Sequence, residues 1–158
     1  MSVKFCRVDD RLIHGQVVTT WVNVHKIEQI IILNEAVQND KIQSNVLKMS
    51  APANIKLHIF SPAKFLQVIQ KNPISRSTML LFSSPFDVET LIDAGYEISQ
   101  LNVGGLRGNA ERTQVTKAIF LTEKEREVFK KIIKKGIDVE IQMVPSDSAV
   151  KMSEVIEK

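Results

Sequence analysis

One cysteine, Cys6, stands in 158 residues, so no internal disulfide can form and the fold has to rest on its core. Neither a charged-then-apolar leader nor an apolar run long enough to cross a membrane is present, and a soluble, cytoplasmic protein is expected. Low-complexity tracts and internal repeats are lacking. So is any clustering of residues at metal-ligand spacing, and neither a metal nor a cofactor is expected. Aromatic residues make up 6% of the chain and mostly follow the apolar pattern, which leaves little for base stacking. The net charge is only +3, and the lysines between Lys124 and Lys135 are interleaved with acids. Without an uninterrupted basic stripe, no nucleic-acid partner is expected. What remains, 44% hydrophobic and 25% charged residues, fits one globular domain over 1–158.

Short apolar runs alternate with amphipathic helical stretches, the pattern of an α/β sheet with helices on both faces. Strands are predicted at Val3 to Val8, Gln29 to Leu33, Asn54 to Phe60 (near an edge), Thr78 to Phe82, Gln100 to Val103, Ala118 to Leu121 and Val139 to Val144. About six helices lie between and after them. Asn39 or Asp40 can cap a helix burying Ile42, Val46, Leu47 and Met49. Ser61-Pro62 and Ser84-Pro85 are helix starts with proline in the first turn. Thr122 and Glu125 form a capping box, and Gly95 and Gly136 close helices. Ser146 or Asp147 can cap a short terminal helix with Val150, Val155 and Ile156. The run from Ala118 follows the fifth strand with no room for a packed crossover helix. Its pairing is therefore expected to be antiparallel, in a mostly parallel, mixed sheet of about seven strands.

Function in such sheets gathers beyond the carboxyl ends of the strands. The richest such end is Arg7-Val-Asp-Asp-Arg-Leu-Ile-His-Gly-Gln16, where a strand runs into acids, an arginine and a histidine in or just before the first turn of a helix. Free N–H groups and the positive end of the helix dipole favour an anion there.

That stretch, with Trp21, Leu101-Asn-Val-Gly-Gly105 and Gln142-Met-Val-Pro145, resembles the IIB subunit of the mannose, fructose and sorbose family of bacterial sugar phosphotransferase systems, over essentially the whole chain. The resemblance implies that His14 accepts a phosphoryl group from a phosphohistidine on a IIA partner. It then passes the group to a sugar imported by the membrane subunits IIC and IID, holding the domain at the inner face of the membrane. It further implies Asp10 and Arg11 in the phosphate-binding loop and Nδ1 as the reacting nitrogen, and it leaves room for a homo-oligomer. Leu106 stands where many members have methionine, and a basic loop, Arg107-Gly-Asn-Ala-Glu-Arg112, follows it.

Elementary chemistry agrees. Neutral imidazole is a usable nucleophile, and phosphoryl transfer asks the protein mainly for positioning and positive charge. Arg11 can supply a planar fork of donors, the amides around Ile13 to Gln16 neutral ones, and Gly15 room for close approach. Asp10 is a poor phosphate ligand, better suited to holding Arg11 or fixing the histidine tautomer. Arg7, Arg11, Arg107 and Arg112 are expected to form a positive rim for partners. Trp21 and Cys6 read as core, His25 and His58 as structural, and the Ser83-Ser84 pair mainly as a helix cap. A receiver-like signalling domain also carries an acidic pair after its first strand, but here the third strand ends His58-Ile-Phe-Ser61 with no acid to phosphorylate.

Overall fold

The computed structural model describes residues 2–156. β1 (Val3–Asp9) leads through an irregular loop to α1 (Val17–His25), and β2 (Gln29–Leu33) is followed by two helices, α2 (Glu35–Asn39) and α3 (Lys41–Ser50). β3 (Lys56–Phe60) precedes α4 (Pro62–Lys71), and β4 (Thr78–Phe82) precedes α5 (Pro85–Asp93). After β5 (Gln100–Gly105) come β6 (Thr113–Gln114), β7 (Phe120–Leu121), α6 (Glu123–Lys134), β8 (Asp138–Ile141), β9 (Val150–Lys151) and α7 (Met152–Ile156).

Seven strands form one sheet in the order β3-β2-β4-β1-β5-β8-β9. All its neighbours pair in parallel except β9, which runs antiparallel to β8. This is the mostly parallel, mixed α/β sheet that the alternation of runs predicts, with β3 at an edge. β2 and β4 are apolar at every buried position except Thr78, because both faces are covered. Under α4, α5, α6 and α7 lie Cys6, Val8, Ile31, Leu33, Leu80, Phe82, Leu101 and Val103. On the opposite face Ile30, Ile32, Met79 and Leu81 meet α1, α2 and α3. The chain thus leaves β1 towards one face, and leaves its neighbours β4 and β5 towards the other. A crevice opens between those connections, at the carboxyl end of β1.

Four expectations need correction. The run Ala118 to Leu121 is not a strand of the main sheet and does not pair antiparallel with the fifth strand. β7 forms a small hairpin with β6, and Leu106 meets Ile119 in a parallel bridge, its N–H donating to Ala118 while its carbonyl accepts from Phe120. The mixed character comes instead from β9. Val150 belongs to that strand and not to the terminal helix, because Lys151 beside it reaches Asp138 and Glu140 while Met152 drops into the core. α2 was not foreseen; Asn34 caps it by accepting from the Val37 N–H. On α3 only Leu47 is buried, whereas Ile42, Val46 and Met49 face outward. Leu47 joins a cluster with Leu57 and Ile59 of the half-buried edge strand, where too little sheet lies beneath to cover a wider apolar stripe.

Candidate functional site

Side chains alternate along β1, so Cys6 and Val8 enter one core while Phe5, Arg7 and Asp9 face α1. Arg7 is completely buried. Its Nη1 donates to Asn102 Oδ1 of β5 and, at 3.2 Å, to the Gln142 carbonyl; its Nη2 donates to Asp9 Oδ2 at 3.0 Å. The guanidinium carbon also lies 5.6 Å from the Trp21 ring centroid. Trp21 is fixed in turn by its indole N–H, which donates to the Met143 carbonyl at 2.9 Å. Burial pulls the guanidinium below its ordinary pKa and the Asp9 charge pulls it back. Gly104 makes the arrangement possible, since a Cβ there would collide with Nη2 of Arg7.

Beyond Asp9 the chain turns sharply. The Leu12 N–H donates to the Asp9 carbonyl at 2.9 Å, and Leu12 takes φ 58°, a left-handed conformation that a side-chain-bearing residue adopts only when its surroundings enforce it. Burial of Leu12 and Ile13 supplies that enforcement. Gly15, at φ 50°, continues the turn without a Cβ. The Arg11 backbone N–H donates to Asp9 Oδ1, and His14 Nε2 lies 2.9 Å from Asp9 Oδ2. A carboxylate only accepts, so Nε2 carries the hydrogen. Nδ1 is then the ring atom with a free lone pair, and it has no hydrogen-bond partner among the described residues. The ring is 18% exposed.

Asp10 neither holds Arg11 nor touches the histidine, contrary to the role read for it. It accepts from the Arg107 backbone N–H at 2.9 Å and from Arg112 Nη1 at 3.3 Å. Arg112 in turn forks onto Glu125 at 3.0 and 2.8 Å, and Glu125 is the buried acid of the capping box that starts α6. Those hydrogen bonds hold the Arg112 guanidinium above its ordinary pKa. The expected four-arginine rim is therefore reduced. Arg7 is core and Arg112 is a clasp, whereas Arg11 and Arg107 point outward.

Gln16 is the N-cap of α1 but makes no side-chain cap hydrogen bond, and the first turn holds no acid. α2 to α6 are capped by Asn34, Asp40, Ser61, Ser84 and Thr122. The helix beginning beside His14 thus keeps its leading N–H groups without side-chain acceptors. Asn102 to Gly105 share this edge, with Asp10 N–H donating to the Gly105 carbonyl at 3.0 Å. Ser84 caps α5, and Ser83 accepts from Asn34. His25 stacks on Phe5 and His58 on Phe60, and burial lowers the pKa of both histidines. A cleft of about 240 Å³ is lined by Phe5, Trp21 and His25 on one side and by Asn102 and Gln142 on the other. Asp9 reads in the sequence as one of the polar residues ending the first strand and as a possible helix cap, not as the partner of His14. The signal was its spacing of two from Arg7 on a strand, which puts both on one face.

Fold and geometry define a doubly wound α/β domain with a histidine-bearing loop at its switch point. The chain belongs to the family described as PTS system sorbose subfamily IIB component, whose model matches residues 3–158. Among its relatives, the PTS system mannose-specific EIIAB component of Escherichia coli (strain K12) is 38% identical over 160 residues, covering 100% of this chain and 49% of that protein. The chain spans about half the length of that relative. The fructose-specific EIIB component of Bacillus subtilis (strain 168) is 35% identical over 150 residues, with 94% and 92% covered. The crystal structure of the IIBSor domain of the sorbose permease from Klebsiella pneumoniae superposes with a TM-score of 0.91 at 34% identity, covering 99% of this chain and 97% of that one.

Proposed function

We propose that residues 1–158 act as one phosphoryl-carrying IIB domain. His14 accepts the group on Nδ1 from a phosphohistidine of a IIA domain and passes it to a sugar entering through IIC and IID membrane subunits. The observation that supports this most is the hydrogen bond between His14 Nε2 and buried Asp9, which leaves Nδ1 as the nucleophilic nitrogen. Arg11, exposed and three residues before His14, suits a transferring phosphoryl group as a planar donor, and the first N–H groups of α1 after Gln16 suit its oxygens. Gly15 leaves space for the partner's imidazole. Asp10 serves indirectly, by tying this loop to the one that carries Arg107.

The relatives' names speak for the same system: one is an EIIAB component, in which A and B parts share a chain. The work is cytoplasmic in this reading, at the membrane through the transporter subunits. No helix among the described residues is long and apolar enough to cross a membrane. Cys6, the other nucleophile near the sheet, is a poor acceptor because burial pushes its thiol up to about 12 and keeps it protonated. Incubation with phosphoenolpyruvate, the general phosphotransferase proteins and a cognate IIA should add one acid-labile, base-stable phosphate. His14→Ala should abolish it, and labelling that survives the substitution would overturn the reading.

A further inference from the structure

A completely buried arginine is an expensive way to join strands, because a charge taken out of water is strongly destabilising unless it is paired. Arg7 is paired, and its partner is shared: Asp9 Oδ2 accepts from Arg7 Nη2 at 3.0 Å and from His14 Nε2 at 2.9 Å. Any charge appearing on the His14 ring is therefore felt by a carboxylate that already faces a fixed cation.

Such a charge does appear. When Nδ1 uses its lone pair to form the N–P bond, the bond to the donor's nitrogen breaks and its electron pair leaves with the donor imidazole. No proton has to move at His14, so a ring that keeps its Nε2–H becomes an N-phosphorylated imidazolium. Asp9 stabilises that cation through the N–H, while Arg7, on the same oxygen, opposes it. A carrier held by Asp9 alone would accept well and release poorly.

We propose that Arg7 is a positioning residue which, through Asp9, sets how tightly the His14 ring holds its phosphoryl group, so that the group is both accepted and released. This rests on His14 being the acceptor. Asn102, the Gln142 carbonyl and the missing Cβ of Gly104 hold the guanidinium in place for the task.

The test is the equilibrium of phosphoryl exchange with a cognate phosphorylated IIA at pH 8, measured for Arg7→Met and Asp9→Asn. Removing the cation should move the equilibrium towards phosphorylated His14 by about tenfold, and removing the carboxylate's charge should move it away by about as much. If Arg7 were only a rivet between β1 and β5, both variants would lose stability and the equilibrium would stay put or move the same way in both, which overturns the proposal. Should Arg7→Met fail to fold, Gly104→Ala pushes the guanidinium off Asp9 without deleting it and should shift the equilibrium in the Arg7→Met direction; no shift or the opposite shift also overturns it. The ¹⁵N and ¹H resonances of His14 in the unphosphorylated proteins report the Nε2–H hydrogen bond without any transfer. A phosphate found elsewhere in a His14→Ala control would instead remove the carrier reading itself.

Discussion

Asp9 and Asp10 are adjacent in the chain and do different things. The side chain of Asp9 is 1% exposed and lies between Arg7 and His14, whereas that of Asp10 is 15% exposed and lies between Arg107 and Arg112. Asp9 is the last residue of β1, so strand alternation aims it into the α1 face beside Arg7. Asp10 has already left the strand and turns outward to the loop after β5. Inside, one charge lies against His14, where the proposed chemistry would need it. Outside, a run of ion pairs through Arg112 to Glu125 holds two loops together. The same residue type, one position apart, serves electrostatics in one case and architecture in the other.

The largest effect should come from separating the two by alanine. Asp9→Ala leaves the buried Arg7 guanidinium without its carboxylate and should cost about 3–5 kcal/mol of stability. Asp10→Ala breaks half-screened pairs and should cost about 1 kcal/mol. Urea denaturation of both variants measures the difference, and equal losses would break the comparison. Next in size, Arg11→Lys should keep the fold while slowing exchange with IIA on the order of a hundredfold, because an ammonium lacks the planar fork. Wild-type rates in that variant would remove Arg11 from the transfer.

On the outer side, Glu125→Gln removes the charge that Arg112 grips and weakens the reciprocal hydrogen bond to the Thr122 N–H. A loss of about 1–2 kcal/mol is expected in thermal or chemical denaturation, with His14 phosphorylation retained. The smallest effect belongs to Arg107→Glu. Its side chain is 67% exposed, so the melting temperature should hold while transfer from IIA slows severalfold and loses part of its salt dependence. Unchanged transfer at low salt would leave the loop a purely structural clasp.

Where local chemistry decides the structure, the sequence was readable. β2 and β4 fall on their predicted residues, and the capping box of Thr122 and Glu125 starts α6 where expected. His14, read as lying in or just before the first turn of its helix, precedes that helix by a short turn, and Asn102 to Gly105 share its carboxyl edge as expected. What escaped depends on the direction in which a pattern points. Ile42, Val46 and Met49 share a helical face, but periodicity does not say whether a sheet lies beneath it. Val150 shows no period of its own, and only the reach of Lys151 to Asp138 and Glu140 makes it a strand. Arg7 reads as a surface cation until Asn102, Gln142 and Asp9 close around it, and those contacts span 95, 135 and 2 residues of chain. Asp9 and Asp10 could be told apart only by knowing where β1 ends.

In the proposed function Asp9 fixes the Nε2–H of His14 and leaves Nδ1 to carry the phosphoryl group. Phosphorylated protein labelled with ¹⁵N at histidine tests it through ³¹P–¹⁵N coupling. Coupling to Nδ1 of His14 alone is expected, with the Nε2–H resonance retained and shifted by Asp9→Asn. Coupling to Nε2, or to His25 or His58, would contradict it.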